Sequence, residues 1–149
     1  MKKLNFLQLP LLLLLFMISS CSVETEPISY GKENCNFCKM TIMDKKFGCE
    51  LVTKKGKVFK FDDLSCMIKY IKISEANEKD FSLIVVNQYD KPGELIDIKN
   101  VAFVTSPNIA TPMMGNTAAI MEKTKIAELL KNDQSASVIA WERLVETIK

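Results

Sequence analysis

Met1-Lys2-Lys3, an apolar stretch from Leu11 to Ile18 and the small pair Ser19-Ser20 run straight into Cys21. A positive segment, an apolar segment and small residues ending on a thiol are the parts of a lipoprotein signal peptide, so residues 1–20 are expected to be removed and Cys21 acylated. The apolar run is broken by Gln8 and Pro10 and falls short of the ~20 residues that a bilayer-crossing helix needs. Residues 21–32 then read as the lipidated cysteine and a flexible tether rich in Glu, Ser, Thr and Pro. What is left to fold is residues 33–149, about 117 residues, enough for one domain with one core. The leader's two lysines account for the formal charge of +2, so the mature chain is neutral and carries no nucleic-acid footprint.

Short apolar runs alternate with helical patterns along this domain. Gly48–Thr53 and Lys57–Phe61 read as strands joined by a Lys54-Lys55-Gly56 turn. Asp62 or Asp63 can cap a helix in which Leu64, Met67, Ile68 and Ile71 follow the i, i+3, i+4, i+7 spacing of one buried face. Phe81–Val86 is a continuous apolar run, expected as a buried strand, and Leu95–Ile98 and Val101–Val104 as further strands. Ile126, Leu129 and Leu130 mark a second helix with Thr124 as its expected cap. Val58–Leu64 lines up without gaps on Val138–Leu144, each an apolar strand passing an aromatic and an acid into a helix, which suggests a duplicated strand-then-helix unit. In the last helix Trp141, Leu144, Val145 and Ile148 share one face.

The chain has no histidine. That removes triad hydrolases of the Ser-His or Cys-His type and every metal site that needs imidazole. No Gly-rich phosphate loop is present. Sulfur is what the chain has in supply. Cys35 and Cys38 form a C-x-x-C pair followed by Met40, Cys66-Met67 lies in the first helix, and Thr111-Pro112-Met113-Met114-Gly115-Asn116 sets two methionines between a proline and a glycine. Thiolates and thioethers are soft donors that select Cu(I) over harder divalent ions. Met67 lies on the apolar helix face and reads first as core, whereas Met40, Met113 and Met114 read equally as packing or as ligands. The C-x-x-C pair itself admits a thiol-disulfide couple, a zinc site completed by Cys49 and Cys66, or a soft-metal site. Cys49 and Cys66 can also form a disulfide or stay buried and inert.

Taken together these motifs resemble the NosL family, copper-binding lipoproteins that accompany nitrous oxide reductase. The resemblance rests on Cys35–Ile42, Gly56–Asp63 followed by Cys66-Met67, the Ile96-Asp97 and Ala102–Val104 regions, and Thr111–Met113 with Gly115-Asn116. It implies an α+β domain of two strand-helix-strand repeats, shared with the organomercurial-lyase-like fold, and a non-enzymatic Cu(I) carrier. Its client would be nitrous oxide reductase or that enzyme's maturation machinery. Family members often carry Pro-Met-Gly with Gly or His after it, but here Met114 intervenes, so the resemblance does not say which of Met113 and Met114 faces the metal.

The expected site is therefore Cu(I) on thiolate from Cys35 or Cys38, with thioether from Met40 and from Met113 or Met114. Cys66, Met67 and Cys49 stand as additional metal or structural residues. A homodimer sharing ligands is compatible with such a site. The rival classes are a periplasmic oxidoreductase using Cys35 and Cys38, and a zinc-stapled interaction module. Val23 stands where an aspartate would favour inner-membrane retention, so the periplasmic face of the outer membrane is the expected location.

Overall fold

The computed structural model describes residues 23–74 and 76–149; the leader and Cys21, and with them the acylation reading, lie outside the described residues. Among the described residues no helix is long and apolar enough to cross a membrane.

Strands β1 (Cys49–Thr53) and β2 (Val58–Phe61) form the expected hairpin, with Cys49 opposite Phe61. Its turn closes through Gly56, whose φ of 79° is left-handed and favours glycine. Helix α1 (Leu64–Ile73) follows at once, and of the two candidate caps it is Asp63 that accepts the Cys66 N–H, at 3.0 Å. Its buried face is the one that the spacing marks: Leu64, Met67, Ile68 and Ile71. Strand β3 (Phe81–Asn87) is fully buried only from Ile84 onward: Ser82 is exposed, and Phe81 packs against the main core while only partly buried. Strand β4 (Leu95–Asp97) stops one residue short of expectation, since the Asp97 carboxylate caps a short 3-10 turn by accepting the Lys99 N–H.

The second half contains β5 (Ala102–Thr105), β6 (Thr117–Ile120), α2 (Lys123–Asn132), β7 (Ser137–Ile139) and α3 (Trp141–Thr147). Helix α2 begins after Glu122 and has no side-chain cap; Thr124 lies inside its first turn and does not cap it. Strand β6 is fully buried, yet its Thr-Ala-Ala-Ile sequence has little of the β-branched and aromatic content that marks strands.

All strand pairs are antiparallel, in a four-stranded sheet ordered β2-β1-β3-β4 and a three-stranded sheet ordered β6-β5-β7. The order shows which units repeat. In each half a central strand pairs with the next strand, a helix follows, and the chain returns to the other side of the centre: β1-β2-α1-β3 and β5-β6-α2-β7. The repeats are thus strand-helix-strand units, but β2 corresponds in topology to β6 and not to β7. The gap-free match of Val58–Leu64 on Val138–Leu144 does not follow the structural repeat.

Side-chain alternation on the second sheet joins the two halves. Phe103 and Ala119 face the main core, which also holds Leu51, Phe61, Met67, Ile68, Ile84 and Leu144. Val104, Ala118 and Ile120 face the other way, into a smaller cluster with Ile126, Leu129 and Leu130 of α2. At the N-terminal side the chain docks earlier than a free spacer would. Glu26 donates its N–H to Glu50, Lys60 Nζ donates to the Pro27 carbonyl, and Ile28 is buried in the main core.

Candidate metal centre

The chain from Asn34 to Thr41 closes into a narrow knuckle. The Cys35 N–H donates to the Met40 carbonyl, the Lys39 N–H donates to the Cys35 carbonyl, and Asn34 bridges Thr41. Lys39 sits at φ 67°, the left-handed conformation that turns the backbone over the sulfurs. Asn36 fastens this knuckle to β2: its N–H donates to the Lys60 carbonyl, and its side-chain oxygen accepts the Lys60 N–H at 2.6 Å. The C-x-x-C pair therefore lies on a turn against the end of a hairpin and not at the start of a helix, where a thioredoxin-type pair would sit.

Three residues beyond Asp63, the first turn of α1 brings Cys66 to the same place. The sulfurs of Cys35, Cys38 and Cys66 all lie within 4.8 Å of one another. Cys35 and Cys66 are fully buried and Cys38 is partly exposed, so the cluster opens to solvent on the Cys38 side. A hydrogen bond from the Cys66 thiol draws the Cys35 pKa down to about 5 against the opposing effect of burial; the N–H groups of Asp62, Cys38 and Phe37 assist. The same bond pushes Cys66 up, and burial together with the adjacent Cys35 raises Cys38. Of the three sulfurs, Cys35 is the one biased toward the thiolate, while Cys38 and Cys66 are biased toward the thiol.

Cys49 is fully buried, hydrogen-bonds the Phe47 carbonyl and lies outside the three-sulfur cluster. With Cys49 outside the cluster the four-cysteine zinc set does not assemble, and since all four described cysteines are free, Cys49 is not bridged to Cys66. Met67 is fully buried in the main core.

The 111–116 loop reaches the cluster through α1. Asp63 caps the helix with one carboxylate oxygen and accepts the Met113 N–H at 3.0 Å with the other. Met113 is partly buried and packs on the core that contains Cys35 and Cys66, while Met114 is 84 % exposed. Met40 is exposed, and its N–H donates to the Cys38 sulfur. Asp62, which the sequence marks only as a cap candidate, lends its N–H to Cys35, and burial raises its own carboxyl to about 6.

Gly115 lets the loop lie flat on the helix start: a Cβ there would stand 2.0 Å from Ser65 Oγ and 3.3 Å from Ser65 Cβ. Gly115→Ala is expected to destabilise the fold by about 1–2 kcal/mol and to loosen Met113 from the core. Ser65→Ala in the same chain should restore most of that stability in urea unfolding. Equal losses in the single and double variants would refute the contact.

The fold and site define a small two-sheet α+β domain that carries a half-enclosed cluster of soft sulfur donors. The NosL family model matches residues 28–148, and the chain belongs to that family. Among solved structures the chain is similar to the crystal structure of the copper chaperone NosL from Shewanella denitrificans. That likeness has a TM-score of 0.65 at 14 % identity and covers 81 % of this chain and 95 % of that one; at this identity it speaks to fold. No curated protein matches.

Proposed function

We propose that the chain is a lipid-anchored Cu(I) carrier that binds copper at Cys35, Cys38 and Cys66 and releases it by ligand exchange. Delivery toward the copper centres of nitrous oxide reductase, and anchoring through Cys21 at the periplasmic face of the outer membrane, belong to the same reading. The observation that carries it is the three sulfurs within 4.8 Å, two buried and one at the opening. Three thiolates suit a soft monovalent ion, and the histidine-free sequence offers no competing nitrogen donor. Membership of the NosL family and the likeness to a copper chaperone support the choice of metal. Met113, held against the core beside the cluster, and Met40, next to Cys38, are the thioethers placed to assist. No substrate is converted; copper is the cargo.

Anaerobic titration against a Cu(I) chelator at several pH values tests this. With Cys35 already ionised and Cys38 and Cys66 protonated, loading all three sulfurs expels two protons. Affinity should then fall about 100-fold for each unit of pH drop between about pH 8 and pH 6. A tenfold slope would mean that only one protonated thiol joins the metal. A flat profile would mean that neither Cys38 nor Cys66 joins the metal and would end the three-sulfur reading.

A further inference from the structure

The chain is fastened to the fold from Glu26 onward, which leaves residues 21–25 as the leash of the expected lipid anchor. Fully extended, that leash spans at most about 17 Å. Its direction is set by where the docked residues lie on β1. Ile28 packs against Gly48, where an added Cβ would stand 2.9 Å from the Ile28 Cδ1, and Glu26 donates its N–H to Glu50. Followed toward the N-terminus, the chain therefore passes along β1 toward Thr53 and the hairpin turn. Val23, the first described residue, is half-buried and so still keeps to the fold. The anchor is thus led to the turn end of the hairpin.

That turn is basic. Lys54, Lys55 and Lys57 are exposed, and among the described residues none of the three is in an ion pair. The acids that precede Phe81, the partner of Thr53, are committed within the fold: Glu78 accepts the Trp141 indole N–H at 2.8 Å, and Asp80 accepts the Asn77 N–H. Helix α1 returns along β2 with Tyr70 against Phe59 and Phe61, so it ends on the side of the turn, where Ile73 is 72 % exposed. Lysines beside an exposed apolar residue suit an anionic lipid surface. Headgroup phosphates attract the ammonium groups, and the interface accepts the apolar side chain.

We propose that the β1–β2 turn rests on the anionic headgroups of the membrane that holds the Cys21 anchor, with Lys54, Lys55 and Lys57 as its contacts and Ile73 beside them. The proposal rests on the lipid-anchor part of the carrier reading and adds the orientation of the domain. From the turn, β2 runs away toward Asp63, about 20 Å along the strand direction. The sulfur cluster belongs to that far end, since Asn36 fastens the knuckle to Lys60 and Cys66 lies in the first turn of α1. The three sulfurs therefore stand away from the bilayer, where a copper-exchanging partner meets them from the aqueous side.

Mass spectrometry of the chain purified from membranes first reads the lipid on Cys21; without it the anchor reading fails, and this surface with it. The acylated chain is then inserted into the outer leaflet of vesicles made of phosphatidylcholine alone or with phosphatidylglycerol, and lysine acetylation is timed at each position. On the anionic vesicles at low salt, Lys54, Lys55 and Lys57 should react at least about fivefold more slowly than on the neutral ones. The difference should vanish in about 1 M salt, where the Debye length is about 3 Å. Lys123 and Lys131 of α2, a helix that packs with Phe47 before the other end of β1, should react at one rate on both. Equal rates at the turn on the two vesicles, or equal slowing in α2, overturn the proposal. Lys54→Gln with Lys55→Gln and Lys57→Gln keeps the turn and removes its charge. Hydrogen exchange of the amides from 53 to 58, slowed by anionic vesicles in the unsubstituted chain, should then be the same on both vesicles. Slowing that survives the triple substitution gives the contact to other residues and also overturns it.

Discussion

Cys66→Ser is expected to weaken Cu(I) binding by at least about a hundredfold while the domain stays folded. Serine nearly matches cysteine in size but offers a hard oxygen, so the substitution removes one of the three soft donors and little else. The position tolerates it. Cys66 lies in the first turn of α1, where its N–H is satisfied by Asp63, and a serine hydroxyl can still donate to the Cys35 thiolate as the thiol does. The cost in stability should be about 1 kcal/mol. The pH profile gives the second readout. With one protonated thiol gone, copper loading expels one proton instead of two, and the slope should drop from about 100-fold to about tenfold per pH unit. Cys49→Ser is the contrast: it buries a hydroxyl in the core away from the cluster, so it should leave copper affinity and slope alone. Unchanged affinity in Cys66→Ser would reduce the site to the C-x-x-C pair and its thioethers.

The third thiol also shows where sequence reading stops. The C-x-x-C pair announces itself by spacing, because two residues between cysteines fit one turn of backbone. Cys66 lies far along the chain, and its neighbourhood is set by three separate events: Asn36 fastening the knuckle to Lys60, β2 ending at Phe61, and Asp63 starting the helix. Each is local, and a cysteine three residues after a capping aspartate is the one signal that faces it back toward the strand end. The hairpin, α1 and β3 are legible because their apolar residues follow the right period. Strand β6 is not, since Thr117-Ala118-Ala119-Ile120 takes its strand character from burial and from pairing with β5. Ile28 is hidden for a similar reason: a single apolar residue in a polar stretch has no periodicity, yet it enters the core. Neighbouring methionines at 113 and 114 are equivalent as letters. The left-handed backbone at Met114 and the Asp63 anchor on Met113 distinguish them.

Glu50→Gln is expected to stabilise the protein by about 1–3 kcal/mol above pH 8 and by almost nothing below about pH 4.5. Glu50 is fully buried on β1; one carboxylate oxygen accepts the Glu26 N–H at 3.2 Å and the other has no partner. Lys60 is close enough to be felt, but its ammonium is already committed to Glu33 at 2.8 Å and to the Pro27 carbonyl. Burial therefore dominates and raises the Glu50 carboxyl to about 7, from an ordinary value of 4.5. Between those two values the folded chain keeps a proton that the unfolded chain has released, so stability falls as pH rises through the window and the full penalty remains above it. Glutamine carries no charge at any pH, and its amide oxygen can still accept the Glu26 N–H. Urea unfolding of both chains from about pH 4 to pH 9 should show the wild-type curve dropping away from a flatter Glu50→Gln curve, and parallel curves would refute the buried charge. Copper affinity should not follow, because the bonds that set the knuckle run from Asn36 to the Lys60 backbone and do not involve Glu50.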